Sequence, residues 1–136
     1  MLKVFFTVDV EVWLGGWDRL DERFPDAFRR YVYGQTRTGD WGLPRKLRIL
    51  NDHGLRGVFF VEPLFALRFG AGPLQEIVGI IRDAGQEVQM HLHTEWADEA
   101  RTPVLADHDR KRQFLYDFSA AEQLPLLQTG KRLLVE

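Results

Sequence analysis

The chain has 136 residues, of which 45% are hydrophobic, and a formal net charge of −2. This length and composition are enough for the hydrophobic core of one ordinary domain, and the charge gives no reason to expect nucleic acid or an anionic membrane as a partner. No apolar run in the sequence is long enough to span a bilayer. Cysteine is absent, which excludes disulfides and thiolate sites, so a metal would need His, Asp or Glu ligands.

The N-terminal stretch MLKVFFTVDVEVW has the apolar character of a signal peptide. Two carboxylates, Asp9 and Glu11, interrupt it, and no small-residue cleavage site follows. We therefore predict a mature N-terminus and a cytoplasmic protein.

Three runs of residues predict β-strands. Residues 3–12 alternate between an apolar face and a face that ends in an Asp-x-Glu pair. Residues 56–62, RGVFFVE, form a continuous β-branched and aromatic run, which is typical of a buried parallel strand. Residues 87–93, EVQMHLH, alternate again, and their polar face ends in a His-x-His pair.

Helical patterns separate these strands. Residues 43–54 and 72–85 each begin with a proline near the first turn, carry an apolar stripe and end at a glycine. The resulting order, with helices between the strands, predicts an α/β protein with parallel strands and flanking helices. A Ser119–Glu122 capping box predicts a further helix over 119–136, which Pro125 should kink or delay.

Two features fall outside this regular alternation. Residues 13–42 form a long aromatic-rich insertion, and long connections in compact domains are usually functional. At the C-terminus the apolar pattern is still running when the chain stops at Glu136, without a cap or a following strand. We therefore predict one domain, residues 1–136, that is truncated at its C-terminus.

The two polar pairs are predicted to meet. Asp9 and Glu11 share a face at the C-terminal end of the first strand, and His91 and His93 do so on the third. Sites in parallel α/β folds are built at that rim. Carboxylates and imidazoles without thiols suit Zn²⁺ or another divalent metal such as Co²⁺. Three groups would bind the metal and the fourth would act as general base, for which Asp9, one pleat deeper than Glu11, is the better candidate.

The sequence leaves the third ligand open. If the backbone stays extended, His91 and His93 coordinate together. If it turns helical after Met90, His91 and Glu95 become i, i+4 neighbours and coordinate instead. The candidate metal ligands are therefore Glu11, His91, His93 and Glu95.

The remaining histidines and the tryptophans are assigned by context. His53 precedes a helix-ending glycine and is expected to interact with the helix dipole, while His108 is expected on a surface loop. Most aromatic residues of the insertion are as consistent with loop packing as with ligand binding. We predict that Trp13, Trp17 and Trp96 lie nearest to substrate, where they could stack on sugar faces.

Three segments resemble motifs of the polysaccharide deacetylase family. FTVDVE is similar to its first aspartate motif, HGLRGVFFVEPLF to its second strand, and IRDAGQEVQMHLHTEW to its histidine motif. The resemblance covers about residues 1–96 in consistent order. It departs from the family pattern at Val10, where a second aspartate is usual, and at Glu95, where a second histidine is usual.

The resemblance implies a partial distorted (β/α) barrel and a metal-dependent hydrolase that removes acetyl groups from N- or O-acetylated glycans. By position, Asp9 corresponds to the catalytic base and His91 to the first metal histidine, and Glu11 is the nearest substitute for the second aspartate. The family's later arginine and histidine motifs have no counterpart after Glu95, so this chain is expected to hold only the base and metal half of the site. The alternatives are a non-catalytic carbohydrate-binding remnant, a relative that hydrolyses another amide or a cyclic ureide, or a truncated product without an independent fold.

Overall fold

The computed structural model describes residues 4–135, which form a mixed α/β structure. Lys3 and Glu136, at the ends of the predicted first strand and last helix, lie outside the described residues. The strands are β1 (Phe6–Val10), β2 (Gln35–Thr36), β3 (Gly39–Asp40), β4 (Gly57–Val61) and β5 (Glu87–Met90). The α-helices are α1 (Leu20–Phe28), α2 (Leu43–Asp52), α3 (Ala66–Phe69), α4 (Ala71–Asp83) and α5 (Ala120–Val135).

The main sheet has three strands in the order β1-β4-β5, and β1 pairs with β4 in parallel. The predicted α/β class with a parallel sheet and flanking helices is confirmed. Within residues 4–135, β1, β4 and β5 form this sheet and no barrel, so the predicted partial distorted (β/α) barrel stays a prediction. The insertion is not a plain loop: α1 continues into a π-helix (Arg29–Tyr33), and β2 and β3 form a small antiparallel hairpin.

The chain divides into two compact units. The first contains the residues up to Val61 together with Ile77–Gln89, and the second contains Glu62–Glu76 and the residues from Met90 onward. The prediction of one domain stays a prediction.

The core of the first unit confirms the predicted helical stripes. Alternate residues of β4 are buried, and helices α2 and α4 each bury one apolar face. A side-chain amide, that of Gln86, is buried with them: its oxygen accepts the Gly57 N–H at 2.7 Å, and its nitrogen donates to Asn51 at 2.7 Å. Buried polar groups are stable only when hydrogen-bonded in this way. The buried apolar residues of these strands and helices and of the insertion include Val10, Val12, Leu14, Leu20, Phe24, Ala27, Phe28, Val32, Leu43, Leu47, Leu50, Phe59, Val61, Ile77, Val78 and Ile81.

The predicted apolar face of β1 is buried only at its end. Val10 and Val12 are buried, whereas Val4 is 81% exposed and Phe6 is 46% exposed. β1 is an edge strand. Alternation in the sequence identifies the two faces of such a strand but does not tell how far along it the covering helices extend.

Two glycines, Gly34 after the π-helix and Gly42 before α2, bring these two helices into backbone contact. Gly42 N donates to Tyr33 O at 3.0 Å, and a Cβ on Gly42 would lie 2.3 Å from Val32 O. That clash is with backbone, which cannot move aside as a flexible side chain can.

We expect Gly42→Ala to lower the free energy of unfolding by about 2–4 kcal/mol, the range of severe local clashes. Gly79→Ala is the matched control, because Gly79 lies inside α4 with nothing within 4 Å of an added Cβ. Alanine has a higher helix propensity than glycine, so this substitution should raise the free energy of unfolding by up to about 1 kcal/mol. Urea denaturation measures the free energy of unfolding of both variants. Equal effects of the two substitutions would contradict the backbone contact at Gly42.

The second unit is built around α5. Leu126 of α5 is fully buried, in a cluster with Ala97, Leu105 and Phe118. Gly130 lets the helix approach the chain just after β5: an added Cβ would lie 2.8 Å from Met90 Sδ and 2.9 Å from a Leu92 methyl.

The predicted helix start at Ser119 is confirmed. The Glu122 carboxylate accepts the Ser119 N–H at 2.8 Å and the Ser119 hydroxyl at 2.7 Å. These hydrogen bonds, with that from Arg112, lower the pKa of Glu122 to about 2. Helix α5 begins at Ala120 and contains Pro125, so the proline does not delay its start.

No helix within residues 4–135 is both long enough and apolar enough to cross a membrane.

Candidate metal-binding site

The two histidines leave β5 on an extended backbone. The strand ends at Met90, His93 has extended dihedral angles (φ −105°, ψ 96°), and a 3₁₀ helix starts at Thr94. This is the first of the two conformations that the sequence left open. It places His91 Nε2 and His93 Nε2 3.1 Å apart.

That distance suits a shared metal ion. Two nitrogens that each lie about 2.0–2.1 Å from one tetrahedral Zn²⁺ are separated by roughly 3.3 Å. Without a metal, one Nε2 would have to carry a proton and donate to the other. The pair is thus spaced for a common ion with little movement of either ring.

Glu11 is the third ligand that the sequence predicts. It is half-buried and follows β1 in the first unit, whereas His91 and His93 belong to the second unit. The two histidines supply imidazole donors of the kind found in catalytic zinc sites, and Glu11 as the carboxylate ligand stays a prediction.

Glu95 lies beside His93 in the second unit. Its carboxylate is 5% exposed, and Oε2 accepts no hydrogen bond from residues 4–135. This oxygen is 3.8 Å from His93 Nδ1, the ring nitrogen that faces away from His91. When His93 Nε2 binds a metal, its proton moves to Nδ1, where a carboxylate commonly orients such a ring. Glu95 thus lies beside His93, and its role as a metal ligand stays a prediction.

Asp9 is on β1, opposite Phe60 of β4. It is exposed, whereas Glu11 is half-buried, so the expectation that Asp9 lies deeper does not match the structure. The reason is the edge position of β1, which leaves this part of its polar face open. Asp9 and Glu11 both line a small cavity of about 190 Å³ together with Tyr31, Leu43 and Lys46.

The three tryptophans differ in their surroundings. Trp13 is 39% exposed, and its ring lies edge-on to Trp17 with centroids 5.8 Å apart. Trp96 is only 2% exposed and packs edge-on against Phe69 at 5.7 Å. A buried indole presents no open face to a sugar, so the structure places Trp96 in the core and not at a surface where substrate stacks. His53 ends α2 on the surface, and His108 is an exposed loop residue, as predicted.

A fully buried carboxyl group, that of Glu62, supports the chain near His93. Its two oxygens accept the Leu64 N–H at 2.7 Å and the Phe65 N–H at 3.0 Å, and the backbone of His93 also hydrogen-bonds to it. Burial removes water from the charged form, and this effect outweighs the hydrogen bonds and raises the pKa of Glu62 to about 8.

Sequence reasoning missed Glu62, Tyr31 and Lys46. A signal existed for Glu62, because it is a single carboxylate at the end of the apolar run GVFFV, where burial was predicted. None existed for Lys46 or Tyr31, because a lysine on a helix and a tyrosine in an aromatic-rich insertion usually face solvent or the local core.

The fold and these residues define a mixed α/β protein with a pair of histidines, His91 and His93, that could bind a metal. No family model, curated protein or solved structure matches the chain.

Proposed function

We propose that this protein is a metal-dependent hydrolase that removes acetyl groups from an N- or O-acetylated glycan, on a fold related to the partial (β/α) barrel of polysaccharide deacetylases. The observation that carries the proposal is the 3.1 Å distance between His91 Nε2 and His93 Nε2, which suits a shared metal ion. The resemblance of the segments that contain these residues to deacetylase motifs supports the same reaction.

Zinc is the preferred metal because the donors are two imidazoles and one carboxylate, although Co²⁺ suits them as well. A divalent ion held by Glu11, His91 and His93 would polarise the acetyl carbonyl and make a bound water more acidic. Glu95 would contribute by fixing the ring orientation of His93, since its carboxylate lies on the Nδ1 side of that ring.

Asp9 is the proposed general base. It shares a cavity with Glu11, and its exposure leaves it accessible to a substrate that approaches from solvent. In the reaction, water oxygen bonds to the carbonyl carbon while Asp9 accepts a water proton. The bond from that carbon to the glycan nitrogen then breaks, the nitrogen takes up a proton, and the products are acetate and the free amine.

Acetate release from chitotetraose, an N-acetylated oligosaccharide, tests the proposal. We expect release in the presence of Zn²⁺, loss of release with a chelator, and recovery when Zn²⁺ is restored. Asp9→Asn should lower the rate by about 10²–10⁴-fold, the usual contribution of a general base, with no change in bound metal.

Asp52→Asn serves as the control, because Asp52 is an exposed carboxylate at the end of α2. Full activity of Asp9→Asn would remove Asp9 from its role. Glycan binding without acetate release at any metal concentration would favour the carbohydrate-binding alternative. Hydrolysis of a cyclic ureide in place of the glycan would favour the alternative of a relative that acts on another amide or a cyclic ureide.

A further inference from the structure

The first unit contains a second cavity, of about 370 Å³, formed by the start of the insertion and one side of α1. This volume is near the lower end of the range of about 300–1,000 Å³ for small-molecule sites. Its walls combine aromatic and charged side chains: Trp13 and Tyr31, the arginines 19, 23 and 30, and the carboxylates Glu22 and Asp26.

Most of these charges already have partners. Arg23 forms a two-point ion pair with Asp18, with both N–O distances 2.9 Å, and Arg19 lies 3.7 Å from Glu22. Asp26 is paired with Arg29.

Arg30 is the exception among the charged groups of this cavity. Its guanidinium lies 5.7 Å from the centre of the Tyr31 ring, and it has no carboxylate partner within residues 4–135. A cation on an aromatic platform, without an internal counter-ion, is free to bind an anion from solution.

The aromatic residues connect this cavity with the proposed reaction. Tyr31 lines both this cavity and the smaller one that contains Asp9 and Glu11. The partly exposed indole of Trp13 provides an apolar surface of the kind on which sugar rings stack. A glycan with one residue at the carboxylate cavity can therefore place a neighbouring residue here.

We propose that this second cavity is a subsite for a sugar unit that carries a single carboxylate, stacked on Trp13 and paired with Arg30. The proposal rests on the proposed function for the choice of a glycan, and it narrows that substrate to an acidic one. A monoanion is preferred to a phosphate dianion because only one cation lacks an internal partner while two carboxylates, Glu22 and Asp26, line the same cavity.

Two tetrasaccharides test the subsite. Hyaluronan tetrasaccharide contains N-acetylglucosamine and glucuronate, whereas chitotetraose contains N-acetylglucosamine alone. Calorimetric titration of the whole chain in a chelator should show about tenfold tighter binding of the acidic compound, the effect of one charged hydrogen bond.

The variants separate charge from stacking. Arg30→Gln should remove the preference for the acidic tetrasaccharide, Glu22→Gln should increase it, and Trp13→Ala should weaken the binding of both compounds alike. Arg37→Gln is the control, because it removes the same charge from an exposed position in the β2–β3 hairpin segment.

Equal affinities for the two compounds, or an equal effect of Arg30→Gln and Arg37→Gln, would overturn the proposal. Tighter binding of N-acetylglucosamine 6-phosphate than of the acidic tetrasaccharide would overturn the choice of a carboxylate. The binding measurement needs neither metal nor turnover, so it is independent of the acetate-release assay. If the chain releases acetate but does not bind the acidic tetrasaccharide more tightly, only the subsite proposal is rejected. Acidic preference without acetate release would reject only the hydrolase.

Discussion

Replacing His91 with Ala is expected to lower the affinity of the chain for Zn²⁺ by more than about a hundredfold. Loss of an outer-sphere partner alone typically costs 10–100-fold in metal affinity, and His91 is proposed to bind the metal directly, with its Nε2 3.1 Å from that of His93. Glu11→Gln and His93→Ala should have comparable effects. Competition with a chromophoric chelator measures the affinity, and Co²⁺ substitution reports the coordination through its visible absorption spectrum.

Glu95→Gln is expected to have an intermediate effect, a decrease of about 10–100-fold, because its carboxylate lies beside His93 Nδ1. His108→Ala is the matched control, since His108 is an exposed loop histidine. Stoichiometric, tight binding by His91→Ala would contradict the site. A loss with Glu95→Gln as large as that with His91→Ala would show that Glu95 is itself a ligand.

The second large effect is expected at Glu62. Glu62→Ala removes the acceptor of the Leu64 and Phe65 N–H groups in a fully buried position. Leaving a buried donor unpaired costs about 1–3 kcal/mol, so we expect the free energy of unfolding to fall by about 2–5 kcal/mol. Urea denaturation of the chelator-treated protein measures this change.

The pH dependence of stability tests the raised pKa of Glu62. Its folded-state pKa, about 8, is above the ordinary value of 4.5, so folding favours the protonated form. The protonated form of Glu62 therefore contributes its full stabilisation at pH values below 4.5. This contribution is lost as the pH rises to the folded-state pKa of about 8. Between these values the unfolded chain has lost a proton that the native state keeps, which lowers stability by about 1.4 kcal/mol for each pH unit.

Glu62→Gln cannot titrate, so its stability should decline less between pH 5 and pH 8 than that of the unchanged protein in the absence of metal. The difference in unfolding free energy between the two proteins should therefore shift in favour of the variant as pH rises. Asp52→Asn, which neutralises an exposed carboxylate, is the matched control. Parallel pH profiles of the Glu62→Gln variant and the unchanged protein would contradict a neutral Glu62 in the native state.

Much of the fold was predictable from periodicity alone. The apolar stripes of α2 and α4, the buried run of β4 and the capping box at Ser119 all depend on neighbours within one element, and the structure has them where the pattern predicts. The partial distorted (β/α) barrel that the family resemblance implies stays a prediction, because within residues 4–135 the main sheet has three strands.

Some features of the candidate site were likewise predictable from the sequence, and others required the structure. By itself, the sequence determined that His91 and His93 share one face of the chain and that Asp9 and Glu11 share one face of the first predicted strand, because a period of two orients side chains whatever surrounds them. Only the tertiary structure decided that Trp96 and Glu62 are buried, that Glu95 lies beside His93 and that Arg30 has no carboxylate partner within residues 4–135. The physical reason is that periodicity tells which side of an element a residue occupies. What covers that side depends on segments far away in the sequence, whose packing no local pattern records.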